Sequence, residues 1–186
     1  LIARNFKGDI VKSIKNTMEV VKGAYAFVVM TEKELIGVRD NYGLRPLCLG
    51  KRHDGYLLAS ESCAISAMGG EFIRDIEPGE IVVINKEGVN SIKSTKYAQQ
   101  KLCIFEHVYF ARPDSNLDGV NVYETRYNSG KLLAQEAPVK ADLVFSVPDS
   151  GTPASLGYAE ELNIPYGLGL IKNRYAKRTF IEPKQN

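Results

Sequence analysis

The 186-residue sequence has no tryptophan, only two histidines and only three cysteines, and each shortage removes a class of protein. No Ser/His/Asp arrangement can be argued from His53, beside a turn-forming Asp54-Gly55, and His107, inside an apolar segment. Cys48, Cys63 and Cys103 are odd in number, far apart and without a CxxC, so no disulfide framework is expected. Charge of one sign is also missing: 24 Lys and Arg face 22 Asp and Glu, a net charge of +2. General attraction to nucleic acid or anionic lipid is thereby excluded, and any basic function must be local. No apolar run nears the roughly 20 residues that a bilayer helix needs, and no secretory leader pattern opens the sequence. The expectation is a cytoplasmic protein with neither nucleic-acid nor membrane partners. What is present, 44% hydrophobic and 25% charged residues, is the composition of one or two folded domains. Leu1-Ile2-Ala3-Arg4 reads as the end of an apolar helix, and the last residues stop just after a loop, so an internal piece of a longer protein is expected.

Hydrophobic periodicity predicts an amphipathic helix from Asp9, a plausible N-cap, to Lys22, with Gly23 just past its end. Residues 24–30 and 35–39 read as a hairpin, with further short strands at 47–50, 56–59, 72–76 and 81–85 and a small helix at 62–68. This is an α+β arrangement of antiparallel strands with helices on their faces. After the polar Lys93-Ser94-Thr95-Lys96 the rhythm changes. Strand-like 105–110, 143–147 and 166–170 alternate with helix-like 122–136 and 153–162, the pattern of an α/β parallel sheet. A domain boundary is placed near residue 97.

Chemistry has few places to sit. At 142–153 a buried strand ends in Pro148-Asp149-Ser150-Gly151-Thr152 and opens a helix. Backbone N–H groups and hydroxyls at a helix N-terminus favour phosphate, glycine permits close approach, and the same hydroxyls suit Mg²⁺. An ordinary capped strand-to-helix loop reads the same way. From 171 to 186, Lys172, Arg174, Lys177, Arg178 and Lys184 face a single acid, Glu182, with Tyr175 and Phe180 between them. That composition suits a cationic lid over a polyphosphate as well as a plain solvated loop. Arg39, Asp40 and Arg45 read as a structural ion-pair network, Cys48 and Cys63 as core, and His107 as a satisfied core histidine.

Together these stretches resemble a known family. GVRDNYGLRPLCLG followed by LASESCA is similar to the later half of the N-terminal nucleophile glutaminase domain of class II glutamine amidotransferases. CIFEHVYFARPDSNLDGVNVYETRYNSGKLLAQE and then VFSVPDSGTPASLGYAEELNIPYGLGLIKNRYAKRTFIEP resemble the amidophosphoribosyltransferase family, and the likeness runs nearly end to end. The resemblance implies the C-terminal part of an αββα glutaminase domain at 1–96 and the first half of a type I phosphoribosyltransferase domain at 97–186. It implies ammonia from glutamine displacing pyrophosphate from phosphoribosylpyrophosphate, giving 5-phosphoribosylamine at the start of purine synthesis. Asp149, Ser150, Gly151 and Thr152 would hold pyrophosphate, Ser150 contributing to Mg²⁺ binding, and Lys172, Arg174, Tyr175 and Arg178 would belong to a closing loop. Cys103 matches the first of four cysteine ligands in members that carry a structural [4Fe–4S] cluster. The family's nucleophile, an N-terminal cysteine, has no counterpart here, so no catalytic residue is assigned and the segment is expected to be inactive alone. The family also implies a homo-oligomer. Another class II amidotransferase-type synthase and a catalytically dead phosphoribosyl-binding module are the alternatives.

Overall fold

A computed structural model describes residues 1–53, 55–93 and 100–175, and the chain divides into two compact units, Leu1–Thr125 and Arg126–Asn186. In the first unit a short helix α1 (Ile2–Asn5) precedes α2 (Ile10–Val20). Asp9 caps α2 as its sequence foretells, its carboxylate accepting the Lys12 N–H at 3.0 Å, an arrangement worth about 1 kcal/mol. The helix stops at Val20, earlier than the expected Lys22, because Val21 is already extended.

Strands β1 (Ala26–Met30), β2 (Leu35–Arg39), β3 (Cys48–Arg52), β4 (Gly55–Ala59), β5 (Glu71–Asp75), β6 (Glu80–Asn85) and β7 (Gly88–Lys93) form two antiparallel sheets, ordered β1-β2-β6-β7 and β4-β3-β5. Helix α3 (Ser62–Ala67) follows β4. Alternation on β6 determines the layering. Ile81 and Val83 face α2 and meet Ile14 and Met18, while Val82 and Ile84 face Leu47, Leu49, Leu58 and Ile76 of the second sheet. Ile65 of α3 lies over Gly50 on the far side of that sheet. The sequence of layers is therefore helix, sheet, sheet, helix, and the α+β reading of this stretch corresponds to it. Strand β7 went unread in the sequence because Asn90 and Ser91 dilute its pattern at the sheet edge.

Residues on both sides of the expected boundary at 97 belong to this unit. The Lys101 N–H donates to the Tyr42 carbonyl at 2.7 Å and that of Cys103 to the Leu44 carbonyl at 3.1 Å. A two-strand ribbon, β8 (Asn116–Leu117) with β9 (Val120–Asn121), turns through Asp118 and Gly119, both at positive φ. Where a strand is expected at 105–110, a π-helical turn spans Glu106–Phe110. A strand would send neighbours to opposite faces, whereas Glu106 and His107, adjacent in sequence, are both buried.

The second unit contains most of α4 (Val122–Glu136) and all of α5 (Thr152–Glu161), close to their expected spans. These helices touch backbone to backbone. A Cβ on Gly130 would come within 1.9 Å of the Ala154 carbonyl oxygen, and one on Gly157 within 2.0 Å of that of Tyr127. Lys131 and the Tyr127 hydroxyl both bond Glu160 across the crossing. The strands expected at 143–147 and 166–170 are reduced, among the described residues, to one parallel bridge between Val144 and Tyr166. Parallel strands persist where both faces are covered, and Leu143, Phe145 and Val147 are 47%, 48% and 72% exposed. Among the described residues no helix is long and apolar enough to cross a membrane.

Candidate functional site

In the second unit the Val144 bridge leads into a turn at 148–151 that opens α5. The Pro148–Asp149 peptide is cis. The Asp149 carbonyl accepts the Thr152 N–H at 3.3 Å, and the Gly151 carbonyl accepts both the N–H and the hydroxyl of Ser155 at 3.0 Å. Gly151, the N-cap, offers no side chain to the first turn, so no side chain caps α5; the Thr152 N–H is held by the Asp149 carbonyl and Pro153 has none. A Cβ at Gly151 would stand 3.1 Å from the Val147 carbonyl oxygen, a tight fit that favours glycine. Asp149 is exposed, while Ser150 and Thr152 are half-buried.

The cationic stretch approaches this turn. Lys172 Nζ lies 3.3 Å from Asp149 Oδ2, with both side chains largely in solvent. Arg174 and Tyr175 follow and are exposed, Tyr175 almost completely. Arg178 lies outside the described residues, as do Lys177, Phe180, Glu182 and Lys184. Of the residues singled out in the sequence, the fold thus brings Asp149 and Lys172 into contact and strings Arg174 and Tyr175 just beyond.

Two side chains that sequence reading passed over support the turn. Ser146, buried, places its hydroxyl 3.1 Å from Thr152 Oγ1 and 2.9 Å from the Tyr166 hydroxyl. The available signal was the spacing of Ser146 and Tyr166 on two strand-like segments, but only their parallel pairing shows that they meet.

The first unit's charged residues are organised differently from the expected Arg39, Asp40 and Arg45 network, since among the described residues Arg39 and Arg45 form their ion pairs with Asp118 and Glu106. Buried Arg39 directs all five N–H groups to acceptors: Nε to the Arg45 carbonyl, Nη1 to the Ile76 carbonyl and Asp118 Oδ1, Nη2 to the Gly43 carbonyl and Asp118 Oδ2. Asp40 accepts backbone N–H groups of Tyr25, Tyr42, Leu44 and Arg45 and so shapes the turn after β2. Arg45 reaches Glu106 at 2.6 Å. Glu61 accepts from the Ser115 hydroxyl and the Arg112 N–H. These are fastenings, and in them buried Arg39, Asp40, Glu106 and Ser115 find the partners they would otherwise lack.

Burial and neighbouring charge separate the titrating groups. Burial, reinforced by Asp75, pushes the Cys48 thiol up to about 12, so Cys48 stays protonated and inert at neutral pH. Cys63, expected in the core, is half-exposed and 3.7 Å from Glu61 Oε2. Burial, with the Asp118 charge, raises Asp75 to about 6 against the opposing pull of Arg39. Burial would also raise Glu80, but hydrogen bonds from Arg74, Ser91 and the Glu77 N–H hold it below the usual carboxylate range.

Among the described residues no group of three or more His, Cys, Asp or Glu is placed to hold a metal ion. A four-cysteine cluster site at Cys103 takes four thiolates, and this sequence has three cysteines, Cys48, Cys63 and Cys103. Mg²⁺ makes a smaller demand, since it keeps several waters and takes one or two protein oxygens beside substrate phosphates. The exposed Asp149 carboxylate and the adjacent Ser150 hydroxyl are oxygen donors of that kind. A cavity of about 640 Å³ in the first unit, lined by Ile2, Phe6, Ile10 and the 31–34 turn, touches none of the expected site residues.

Comparison with known proteins connects both units to one family. A glutamine amidotransferase domain model matches residues 3–67. An amidophosphoribosyltransferase from Bacillus subtilis is 50% identical over 185 residues, which is 100% of this chain and 39% of that protein. One from Archaeoglobus fulgidus is 49% identical over 97% of this chain and 39% of its own length. A solved structure described as the allosteric regulatory enzyme of purine biosynthesis superposes with a TM-score of 0.91 at 50% identity, covering 100% of this chain and 40% of that one. The Bacillus subtilis glutamine phosphoribosylpyrophosphate amidotransferase, solved with ADP and GMP, gives the same TM-score and identity over 41% of its chain. The chain spans about two-fifths of the length of these relatives. Half-identity sustained along the whole sequence, with a matching fold, places the chain in the amidophosphoribosyltransferase family.

Proposed function

We propose that the chain is a working part of an enzyme that transfers glutamine-derived ammonia to phosphoribosylpyrophosphate, with residues 1–96 from an N-terminal nucleophile glutaminase domain and 97–186 from a type I phosphoribosyltransferase domain. The carrying observation is the 50% identity to an amidophosphoribosyltransferase across the entire chain. The helix, sheet, sheet, helix order of the first unit and the glycine turn that opens α5 support it.

In this reading the ammonia lone pair forms the N–C1 bond of the ribose as the C1–O bond to pyrophosphate breaks. The bonding electrons leave with pyrophosphate, and the nitrogen sheds a proton. Negative charge therefore grows on the leaving group. The turn at 149–152 offers it the positive end of the α5 dipole, which needs no rearrangement as the bond breaks, and the Ser150 and Thr152 hydroxyls. Lys172 and Arg174 add mobile positive charge, with Tyr175 and Arg178 completing the closing loop and keeping water from the ammonia. Ser150, with Asp149 beside it, would hold Mg²⁺ next to the phosphates, where the ion would supply positive charge against the leaving pyrophosphate. A [4Fe–4S] cluster using Cys103 would need cysteines from beyond this sequence. The reading includes a cytoplasmic, homo-oligomeric enzyme.

Replacing Ser150 by Leu in a full-length enzyme containing this chain tests the reading. The expected outcome is a KM for phosphoribosylpyrophosphate raised about tenfold or more, with glutamine hydrolysis affected far less. Equal loss of both half-reactions would overturn it. Arg174→Ala should lower the yield of phosphoribosylamine per glutamate formed, and an unchanged ratio would remove Arg174 from the loop's role.

A further inference from the structure

We infer that Tyr166 and Ser146 are positioning residues that set the direction of the Thr152 hydroxyl proton, making it a donor to a phosphate oxygen at the turn. The inference deepens the proposed phosphoribosylpyrophosphate site and rests on that reading. Three hydroxyls form a chain: Tyr166 lies 2.9 Å from Ser146 Oγ, which lies 3.1 Å from Thr152 Oγ1. The geometry lets either oxygen of each pair donate; an order in which Tyr166 and Thr152 both donate to Ser146 would strand the proton of that buried hydroxyl, so two proton orders compete. In one, Tyr166 donates to Ser146, Ser146 donates to Thr152, and the Thr152 proton is left over. In the other the order is reversed, Thr152 uses its proton on Ser146, and the phenol proton is left over.

Acidity decides between them. A phenol, with an ordinary pKa of about 10, is a far stronger donor than an aliphatic hydroxyl. Hydrogen bonds in a chain also polarise one another in one sense. Ser146 is 7% exposed, so water seldom supplies it with an alternative partner. The favoured order therefore runs from Tyr166 to Thr152 and leaves Thr152 free to donate. Thr152 is the first residue of α5, beside the N-cap Gly151, at the helix end where the proposed site would hold an anion. The same chain couples two segments: Tyr166 begins the stretch that leads to Lys172, and Lys172 meets Asp149 on the turn. Without the phenol, Thr152 gains its best acceptor in Ser146 and turns its proton inward, away from a ligand.

The test is a double-mutant cycle in a full-length enzyme containing this chain, assayed with ammonia and varied phosphoribosylpyrophosphate. Tyr166→Phe should raise the KM about three- to tenfold, the range of one neutral hydrogen bond, with kcat changed less. Thr152→Val should do at least as much, and the double variant should be no worse than Thr152→Val alone. Ser146→Ala breaks the same chain at its middle and replaces Tyr166→Phe should that variant fold poorly. Additive effects in the cycle, or a lowered melting temperature with an unchanged KM, would overturn the inference by making Tyr166 merely structural. The Ser150→Leu result separates the two levels. If Ser150→Leu blocks phosphoribosylpyrophosphate use while Tyr166→Phe and Ser146→Ala leave its KM untouched, the proton order is wrong and the site stands. If Ser150→Leu has no effect, the site itself falls.

Discussion

Particular ion pairs in the two units differ sharply in how far they are buried. In the first, Arg39 and Asp118 are 1% and 14% exposed and form a two-pronged pair, and Glu80, 1% exposed, is gripped by Arg74, Ser91 and a backbone N–H. In the second, the ion pairs Lys131–Glu160 and Lys172–Asp149 are partly or largely exposed, so solvent screens them, and apolar Leu168 and Ile171 are more than four-fifths exposed. One unit is held by ionic fastenings that fail badly if half is removed. The other shows a close helix crossing, a buried Arg126 and, among the described residues, one strand bridge.

The largest effect that would sharpen this contrast is loss of the Arg39 clamp. Arg39→Ala should cost about 3–5 kcal/mol, read as a lowered urea midpoint, because Asp118 and three carbonyls lose their donors together. A cost below about 1 kcal/mol would make the first unit no more dependent on charge than the second. Next comes Gly157→Ala. Alanine is the better helix former by about 1 kcal/mol, but its Cβ would overlap the Tyr127 carbonyl, so the net result should be a loss of about 1–3 kcal/mol. Amide exchange should quicken across 126–162 and stay unchanged in β1, β2 and β6, and a gain in protection would contradict the tight crossing. The smallest effect is a pH response. Asp75, at about 6 when folded against 3.8 as its ordinary value, binds its proton more tightly in the folded state. Its contribution to stability therefore falls as pH rises from about 4 to about 6 and is level above that. Glu80, held low, acts in the opposite sense and loses its contribution as pH falls through its folded value. Asp75→Asn should flatten the decline between pH 4 and 6 in urea midpoints, and an unaltered profile would dismiss Asp75 as its source.

Local chemistry was legible where a single element carried its own signal. Asp9 announced α2, the 31–34 turn announced the β1–β2 hairpin, and Gly151-Thr152-Pro153 announced α5. Segment 105–110 misled because its Phe, Val and Tyr favour strands, while its actual shape answers to Arg45, which needs Glu106 on the inner side of a helical turn. The Arg39–Asp118 pair joins positions 79 apart in sequence, and no periodicity reports such a partnership. The same applies to the site: Asp149 to Thr152 are visible as a string, whereas Ser146 and Tyr166 acquire a role only after two distant segments lie side by side.

Arg39 has no hydrogen-bonding capacity in reserve. Lysine, with three donors on a tetrahedral head, cannot serve five acceptors spread over a plane, so even a substitution that keeps the charge must orphan at least two of them. The position therefore answers to shape before sign. Any movement of the 116–121 ribbon that withdraws Asp118 is transmitted through one rigid fork to the backbone at 43, 45 and 76 together.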